Sequence, residues 1–290
     1  MSTEPKDRLG KIGIWSMELR FGDKAERLEA AAELDQLGYG ALWVPGGIDD
    51  NVLNDISELL AATKKAVICS GILNIWKHKP ADVGAWWNGQ TPENQERVLL
   101  GLGVSHAPII GETYGKPLTA MKHFLAGLGH ENVPASALCL AALRPKMLEL
   151  AAEHTAGAHP YLVTAEHTAQ ARQILGPDAL LAPELGVILD TDPAAAREKA
   201  RTVIGQYGRL PNYVNSWLAL GFSQEEITSG SDRLADALFA WGTTEQIATR
   251  INEHLAAGAS HVCIQLITGA PRPTVSAARA GWRELAAALL

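Results

Sequence analysis

Three cysteines in 290 residues are too few, and too apolar in setting, to form a disulfide framework. Cys69, Cys139 and Cys263 sit in the runs AVICSGIL, ALCLAAL and HVCIQLI. An odd number, each inside a strand-like apolar run, reads as reduced core thiols in a reducing compartment. A catalytic thiol needs a basic neighbour to lower its pKa, and these runs contain no lysine or arginine. Long apolar stretches are also missing. None approaches the roughly 18 residues of a membrane helix. The first ten residues, MSTEPKDRLG, lack the apolar centre of a signal peptide. A cytoplasmic protein without a membrane partner is expected.

An excess of positive charge is absent as well. Twenty-five basic and 32 acidic residues leave a net charge of -7. That argues against a nucleic-acid partner, which needs a basic surface. A small anionic ligand held by a few local charges remains compatible with it. The chain has no HExxH and no CxxC, and His154 and His159 fall at a helix end and a strand start. No metal site is expected.

What the chain does have is apolar residues, 47% of the total, spread without a composition break. One domain over residues 1–290 follows. The length suits an α/β barrel of about 250 residues with insertions. Short apolar runs alternate with helical patterns along the whole sequence. The runs fall at 11–17, 41–45, 66–76, 98–104, 136–143, 157–164, 181–189 and 261–267, with Pro183 inside the seventh. Helices are expected at 24–37, closed by Gly38, and at 51–63, 117–128, 145–154, 165–175, 243–257 and 274–289. Residues 81–95 begin as a helix and break at Asn88-Gly89 and Pro92. Residues 193–242 form a mostly helical excursion between the seventh and eighth strands. Strands apolar on both faces and followed by helices are parallel and buried. Eight such units give a (β/α)8 TIM barrel.

In such a barrel the site lies at the carboxyl ends of the strands. The stretch LLGLGVSHAP sets the pattern: a buried run with Gly101 and Gly103 stops at Ser105-His106, before a loop around Pro108 and Gly111. Other strand ends offer Glu18, Pro45-Gly46-Gly47, Asn74, Leu143-Arg144-Pro145-Lys146 and Thr164. Among the nine histidines, His106 is best placed for chemistry, with His78 and His167 next. The alternative for His106 is a purely structural role. His159 and His261 start strands and read as structural; His123, His130 and His254 read as surface residues. Arg144 and Lys146 flank Pro145, which suits a first helical turn. The free N–H groups there, with the two bases, form an anion site. The alternative is a solvated loop.

Two motifs fall short. Gly101-Leu-Gly103 has His106 where a dinucleotide fingerprint needs glycine. Gly103-Val-Ser105-His-Ala107 approximates a hydrolase elbow, but that elbow needs a helix straight after the serine, where Pro108 and Gly111 predict a loop.

The fragments AAELDQLGYGALWVP, VICSGILNIW, LLGLGVSHAP, ALRPKMLELAAEHTAGAHPYLVT, SDRLADALFAWGT and LAAGASHVCIQ occur in order along nearly the whole chain. Together they resemble the luciferase-like oxidoreductases, and within them the F420-dependent branch of actinobacteria. The resemblance implies a barrel that binds a deazaflavin or flavin at the strand carboxyl ends. It implies a non-proline cis peptide in the third strand, which by position is Gly71-Ile72, with Asn74 near the ring's polar edge. It places the cofactor's phosphate near Leu143, Arg144, Lys146 and Thr164, and Gly103 and Ser105 at the fourth strand's end are further candidate cofactor contacts. A small-molecule substrate and a homodimer complete the expectation. One departure stands out. Many relatives carry an acid or histidine at the second strand's end, whereas Pro45-Gly46-Gly47 has no ionisable side chain. His106 and Glu18 are the candidates to replace it. The expected activity is F420-dependent hydride transfer. The alternatives are an FMN-dependent monooxygenase or reductase, and a non-catalytic deazaflavin-binding paralogue.

Overall fold

The computed structural model describes residues 5–47, 49–270, 272 and 274–290. Ten parallel strands form one curled sheet. They are β1 Ile12–Trp15, β2 Ala41–Gly46, β3 Val67–Asn74, β4 Val98–Gly103, β5 Leu138–Leu140, β6 Gly157–Ala158, β7 Leu180–Leu181, β8 Glu184–Ile188, β9 Phe239–Trp241 and β10 Val262–Leu266. Their order is β7-β6-β5-β4-β3-β2-β1-β10-β8-β9. The segment around Pro183 links β7, at one end of this order, to β8, which lies next to β9 at the other. Ala182 N–H donates to Ala158 at 2.9 Å and Glu184 N–H to Pro160 at 2.8 Å, on the β6 side. On the other side Cys263 N–H donates to Pro183 at 3.0 Å. Pro183 has no N–H to give the ladder, so the single run expected at 181–189 appears as two short strands.

Alternation along each strand fills two cores. One set of side chains, Trp15, Ala41, Trp43, Val67, Cys69, Leu99, Cys139 and Cys263, packs inside the curl with Leu9. The other, including Ile14, Leu42, Val44, Ile68 and Leu100, packs under the helices. Period-two alternation with both faces apolar is what a buried parallel sheet requires. The three cysteines are buried and free.

The helix Lys24–Leu37 starts on Asp23, whose carboxylate accepts from Ala25 and Glu26 N–H. It ends at Gly38, in the left-handed region at φ 102°. Residues 81–95 resolve into two helices, Pro80–Asn88 and Pro92–Glu96. The stretch 193–242 holds the helices Pro193–Tyr207, Pro211–Ala219, Gln224–Ser229 and Asp232–Leu238, followed by β9. They pack around Trp217, Phe222, Leu234 and Phe239. Among the described residues no helix is long and apolar enough to cross a membrane.

Two expectations need correction. Residues 107–113 are not an open loop: Ala107–Ile110 is one α-helical turn and Gly111–Thr113 a 3-10 turn. Pro108 sits in the first turn, where its missing N–H costs nothing. His254 is fully buried rather than on the surface. Its Nδ1 lies 2.9 Å from Thr168 Oγ1, across the contact between helices Thr244–Ala256 and Ala165–Leu175.

Candidate active site

A cavity of about 1240 Å³ opens at the carboxyl ends of the strands. Its size exceeds the roughly 300–1,000 Å³ of a typical small-molecule site. On one side β3 forms its wall. The register of β3 slips between Ser70 and Leu73, and the Gly71-Ile72 peptide is cis, as the resemblance implied. Both residues are half-exposed in a strand that is otherwise buried. Ile72 lies across Gly103 so closely that a Cβ at Gly103 would come within 2.6 Å of its side chain. A Cβ at Gly71 would meet Trp15 Nε1 at 2.5 Å and His159 Nε2 at 3.0 Å. Trp15 Nε1 donates to the Gly71 carbonyl at 3.1 Å. These two glycines are therefore demanded by close approach.

Gly71, Ile72, Gly103, Ser105, His106, Leu143, Arg144 and Lys146 all line the cavity. Glu18, Asn74 and Thr164 do not. Asn74 is fully buried; its amide donates to Gly47 at 3.2 Å and its oxygen accepts from Trp76 N–H at 3.0 Å, tying the ends of β2 and β3. Thr164 caps the helix Ala165–Leu175, accepting from His167 N–H. Glu18 begins the one-turn helix Glu18–Phe21 and accepts from Ser16 Oγ at 2.7 Å. Burial raises its pKa above the usual carboxyl value, and the Ser16 bond opposes that.

His106 follows Ser105, which is held at φ 52°, and precedes the one-turn helix. Its Nδ1 is buried and has no partner among the described residues. Burial lowers its pKa, so the ring is neutral near pH 7. A hydrolase elbow would need an acid holding that ring, and none does so among the described residues. His78 and His167 are also lowered by burial. His167 Nε2 stands 2.9 Å from the Leu143 carbonyl and steadies the loop after β5, without lining the cavity.

His159 was expected at a strand start, away from the site. It lines the cavity instead. The reason is that β6 has only two residues, so His159 lies past its carboxyl end. Its Nδ1 is 2.7 Å from the Ala182 carbonyl and its ring stacks on Trp43 at 4.2 Å. Burial pushes its pKa down to about 4. His261 is structural as expected: its Nδ1 faces the Gly10 carbonyl and its Nε2 accepts from Trp43 Nε1 at 3.2 Å. The end of β2 is plain backbone, held from behind by the buried Arg20, which donates to the Pro45 carbonyl at 2.5 Å and to Asp55 at 2.9 Å.

Four cations line the cavity, Lys77, Lys116, Arg144 and Lys146, and no carboxylate among the described residues does. None of the four forms an ion pair among those residues, although eight of the arginines elsewhere do: Arg20, Arg27, Arg197, Arg201, Arg233, Arg250, Arg279 and Arg283. Arg144 directly precedes the helix Pro145–His154, with Pro145 in its first turn. Sequence reasoning missed Lys77, Lys116 and the tyrosines 161, 207 and 213. The tyrosines come from the segment after β6 and from two helices of the 193–242 stretch, and no strand end announces them.

No family model matches this sequence, and no curated protein matches it. Solved structures do. An F420-dependent secondary alcohol dehydrogenase in complex with an F420-acetone adduct superposes with a TM-score of 0.72 at 15% identity, covering 97% of this chain and 99% of that one. The coenzyme F420-dependent tetrahydromethanopterin reductase from Methanopyrus kandleri gives 0.67 at 14% identity, covering 95% and 99%. The chain has the fold of these oxidoreductases. The FMN complex of the oxygenating constituent of 3,6-diketocamphane monooxygenase from Pseudomonas putida gives 0.68 at 11% identity, covering 97% and 99%. The same architecture thus occurs in F420-dependent and FMN-binding proteins.

Proposed function

We propose that this protein is a luciferase-like oxidoreductase that uses F420 to transfer a hydride to or from a small organic substrate. The sequence resemblance, and the fold shared with F420-dependent enzymes over nearly the full chain, support this reading. In it the sheet is a barrel of eight strands, with β7 and β8 counted as one, β9 as an addition, and 193–242 as the excursion before the last strand. A single-domain, cytoplasmic homodimer belongs to the same proposal.

The observation that carries the reading is the pairing, in one cavity, of the Gly71-Ile72 wall with four cations that have no ion-pair partner, and no carboxylate lining, among the described residues. That combination fits a flat ring with an anionic tail. When bound, F420 supplies the hydride chemistry at C5. Ile72, packed on Gly103, supports the ring's face. Arg144, Lys146 and the free N–H groups of helix Pro145–His154 hold the phosphate, and Lys77 and Lys116 add attraction for the tail. Gly71 and Gly103 let Trp15, His159 and Ile72 close on the backbone and so shape the ring's wall, which Ser105 borders. Asn74 and Thr164 act one step back, by fixing the β2–β3 ends and the helix at 165. His106, neutral and uncharged, accepts the proton that an alcohol loses as hydride leaves, or returns it in the reverse direction. Glu18 is the reserve candidate. FMN is the alternative cofactor, favoured by the likeness to the FMN-bound monooxygenase constituent. The empty end of β2 favours the non-catalytic paralogue as a third reading.

The test is parallel titration of the protein with F420 and FMN at fixed salt, repeated with Arg144→Ala. We expect tighter F420 binding, and a loss of about 1.5–3 kcal/mol in the variant, the worth of a charge-assisted hydrogen bond. Tighter FMN binding overturns the cofactor preference. Unchanged affinity in Arg144→Ala returns that residue to a solvated loop.

A further inference from the structure

Five aromatic rings form a continuous row along the cavity wall. Trp15 and Tyr161 have centroids 5.4 Å apart, Tyr161 and Tyr207 5.2 Å, Tyr207 and Tyr213 4.8 Å, and Tyr213 and His106 5.4 Å. All five line the cavity. They come from β1, the segment after β6, the helices Pro193–Tyr207 and Pro211–Ala219, and the residue after Ser105. The four cations come from other places: after β3, before helix Pro117–His130, and after β5. The cavity is thus lined by four cations and by a row of five aromatic rings that come from different elements.

The hydroxyls along the row are not equivalent. Tyr161 Oη donates to Gln265 Oε1 at 2.7 Å, and Tyr207 Oη donates to Tyr161 Oη at 3.4 Å. Tyr213 makes no side-chain hydrogen bond among the described residues and lines the cavity, and its hydroxyl is not among their buried unpartnered atoms, so it opens to the cavity. Burial raises its pKa, so it stays a neutral O–H donor. Its ring is held between Tyr207 and Trp217, and Trp217 Nε1 is fixed on the Leu162 carbonyl at 3.1 Å. A rigid donor that opens to the cavity and has no acceptor among the described residues is free to bond an acceptor on a ligand.

We propose that the substrate is an uncharged, planar, conjugated molecule with a carbonyl or hydroxyl oxygen, stacked on this aromatic row and oriented by the Tyr213 hydroxyl. This deepens the proposed function and rests on it: the cofactor engages the cations and the Gly71-Ile72 wall, and the substrate engages the tyrosines of the row. His106, at the Tyr213 end of the row, then stands beside the substrate oxygen that Tyr213 orients. A cationic substrate would find no carboxylate among the described lining residues, and an anionic one would compete with the cofactor for the bases. Aromatic pairing adds selectivity beyond burial of area, and an unmet donor penalises substrates without an acceptor.

The test is calorimetric titration of the full chain, with and without F420, using three probes: 2-acetonaphthone, its saturated counterpart 2-acetyldecalin, and 2-naphthoate. We expect 2-acetonaphthone to bind about tenfold more tightly than 2-acetyldecalin. Tyr213→Phe should weaken 2-acetonaphthone about three- to tenfold and keep the aromatic preference. Tyr213→Leu should remove most of that preference, with circular dichroism showing the variants folded. Equal binding of the ketones, tighter 2-naphthoate, or an unaltered Tyr213→Phe overturns the proposal. The F420 titration separates the two readings. F420 binding without aromatic preference sinks only the substrate class. Aromatic preference without F420 binding sinks the cofactor reading and leaves the aromatic row as a ligand site.

Discussion

Burial makes His106 a weaker base than a free imidazole and keeps it neutral at pH 7. A neutral ring can accept a proton from a substrate hydroxyl; a charged one cannot. Turnover in the oxidative direction should therefore fall as pH drops through the lowered pKa, with the acid limb below the value of a free histidine. His106→Gln should lose about 10²–10⁴ in turnover, the usual share of general acid–base catalysis, and lose that acid limb as well. F420 affinity should barely change. A variant that keeps wild-type turnover, or that loses the cofactor instead, makes His106 a structural or binding residue. His106, Arg144 and Lys146 were legible because each stands at the end of a strand that the apolar pattern already locates. Tyr207 and Tyr213 were not, because only the folding back of 193–242 carries them to the cavity. His159 was misplaced for a different reason: a two-residue strand puts the carboxyl end where a longer one would begin.

At the scale of the element, the strands that form the site are also the most tightly packed. A Cβ on Gly101 of β4 would lie 2.1 Å from the Ser70 carbonyl of β3 and 3.5 Å from Cys139 Sγ of β5. Ser70 Oγ already donates to the Gly101 carbonyl at 2.9 Å, so the two strands cannot part easily. Gly101→Ala should cost at least about 1–3 kcal/mol, the range for overpacking a core. Gly205, in the helix Pro193–Tyr207, has nothing within 4 Å of its added Cβ. Gly205→Ala should instead stabilise by about 0.4–1 kcal/mol. Denaturant unfolding of both variants checks the pair; a harmless Gly101→Ala means that β3 and β4 are looser than they stand here. Element identity was legible because long apolar or periodic stretches leave little choice. Edges and short pieces were not. Pro183 split a run without ending it, and Pro108 started a turn of helix where proline and glycine together suggested a loop. In each case the ring only removes an N–H, and the neighbouring chain decided whether that bond was needed.

Across the whole molecule, burial has been imposed on two kinds of ionisable group with opposite consequences for stability. His159, His254 and His261 are pushed down to about 4, chiefly by desolvation. Their folded pKa lies below the unfolded value of 6.5, so between those limits the unfolded chain binds more protons. The stability they permit is present above 6.5 and is lost as pH falls toward 4. Glu184 is pushed the other way, to about 8, by burial that its single bond from Leu162 N–H at 3.1 Å does not offset. Between 4.5 and 8 the folded chain holds a proton that the unfolded chain has released, so this group makes stability fall as pH rises. From 6.5 to about 8 Glu184 dominates, and nearer 9 the buried thiols Cys69, Cys139 and Cys263, raised by burial, push the same way, so lowering the pH helps. Below 6.5 three histidines oppose two carboxyls, Glu184 and Glu18, and lowering the pH harms. His78, His106 and His167 are shifted in the same direction as the three. Stability should therefore peak near pH 6.5. Glu184→Gln keeps an acceptor for Leu162 and removes the ionisation, so it should flatten the alkaline side and leave the acid side in place. Urea unfolding from pH 4.5 to 9 measures this. A wild-type maximum above pH 8, or a Gln variant with an unaltered alkaline limb, would mean that Glu184 is ionised in the folded protein.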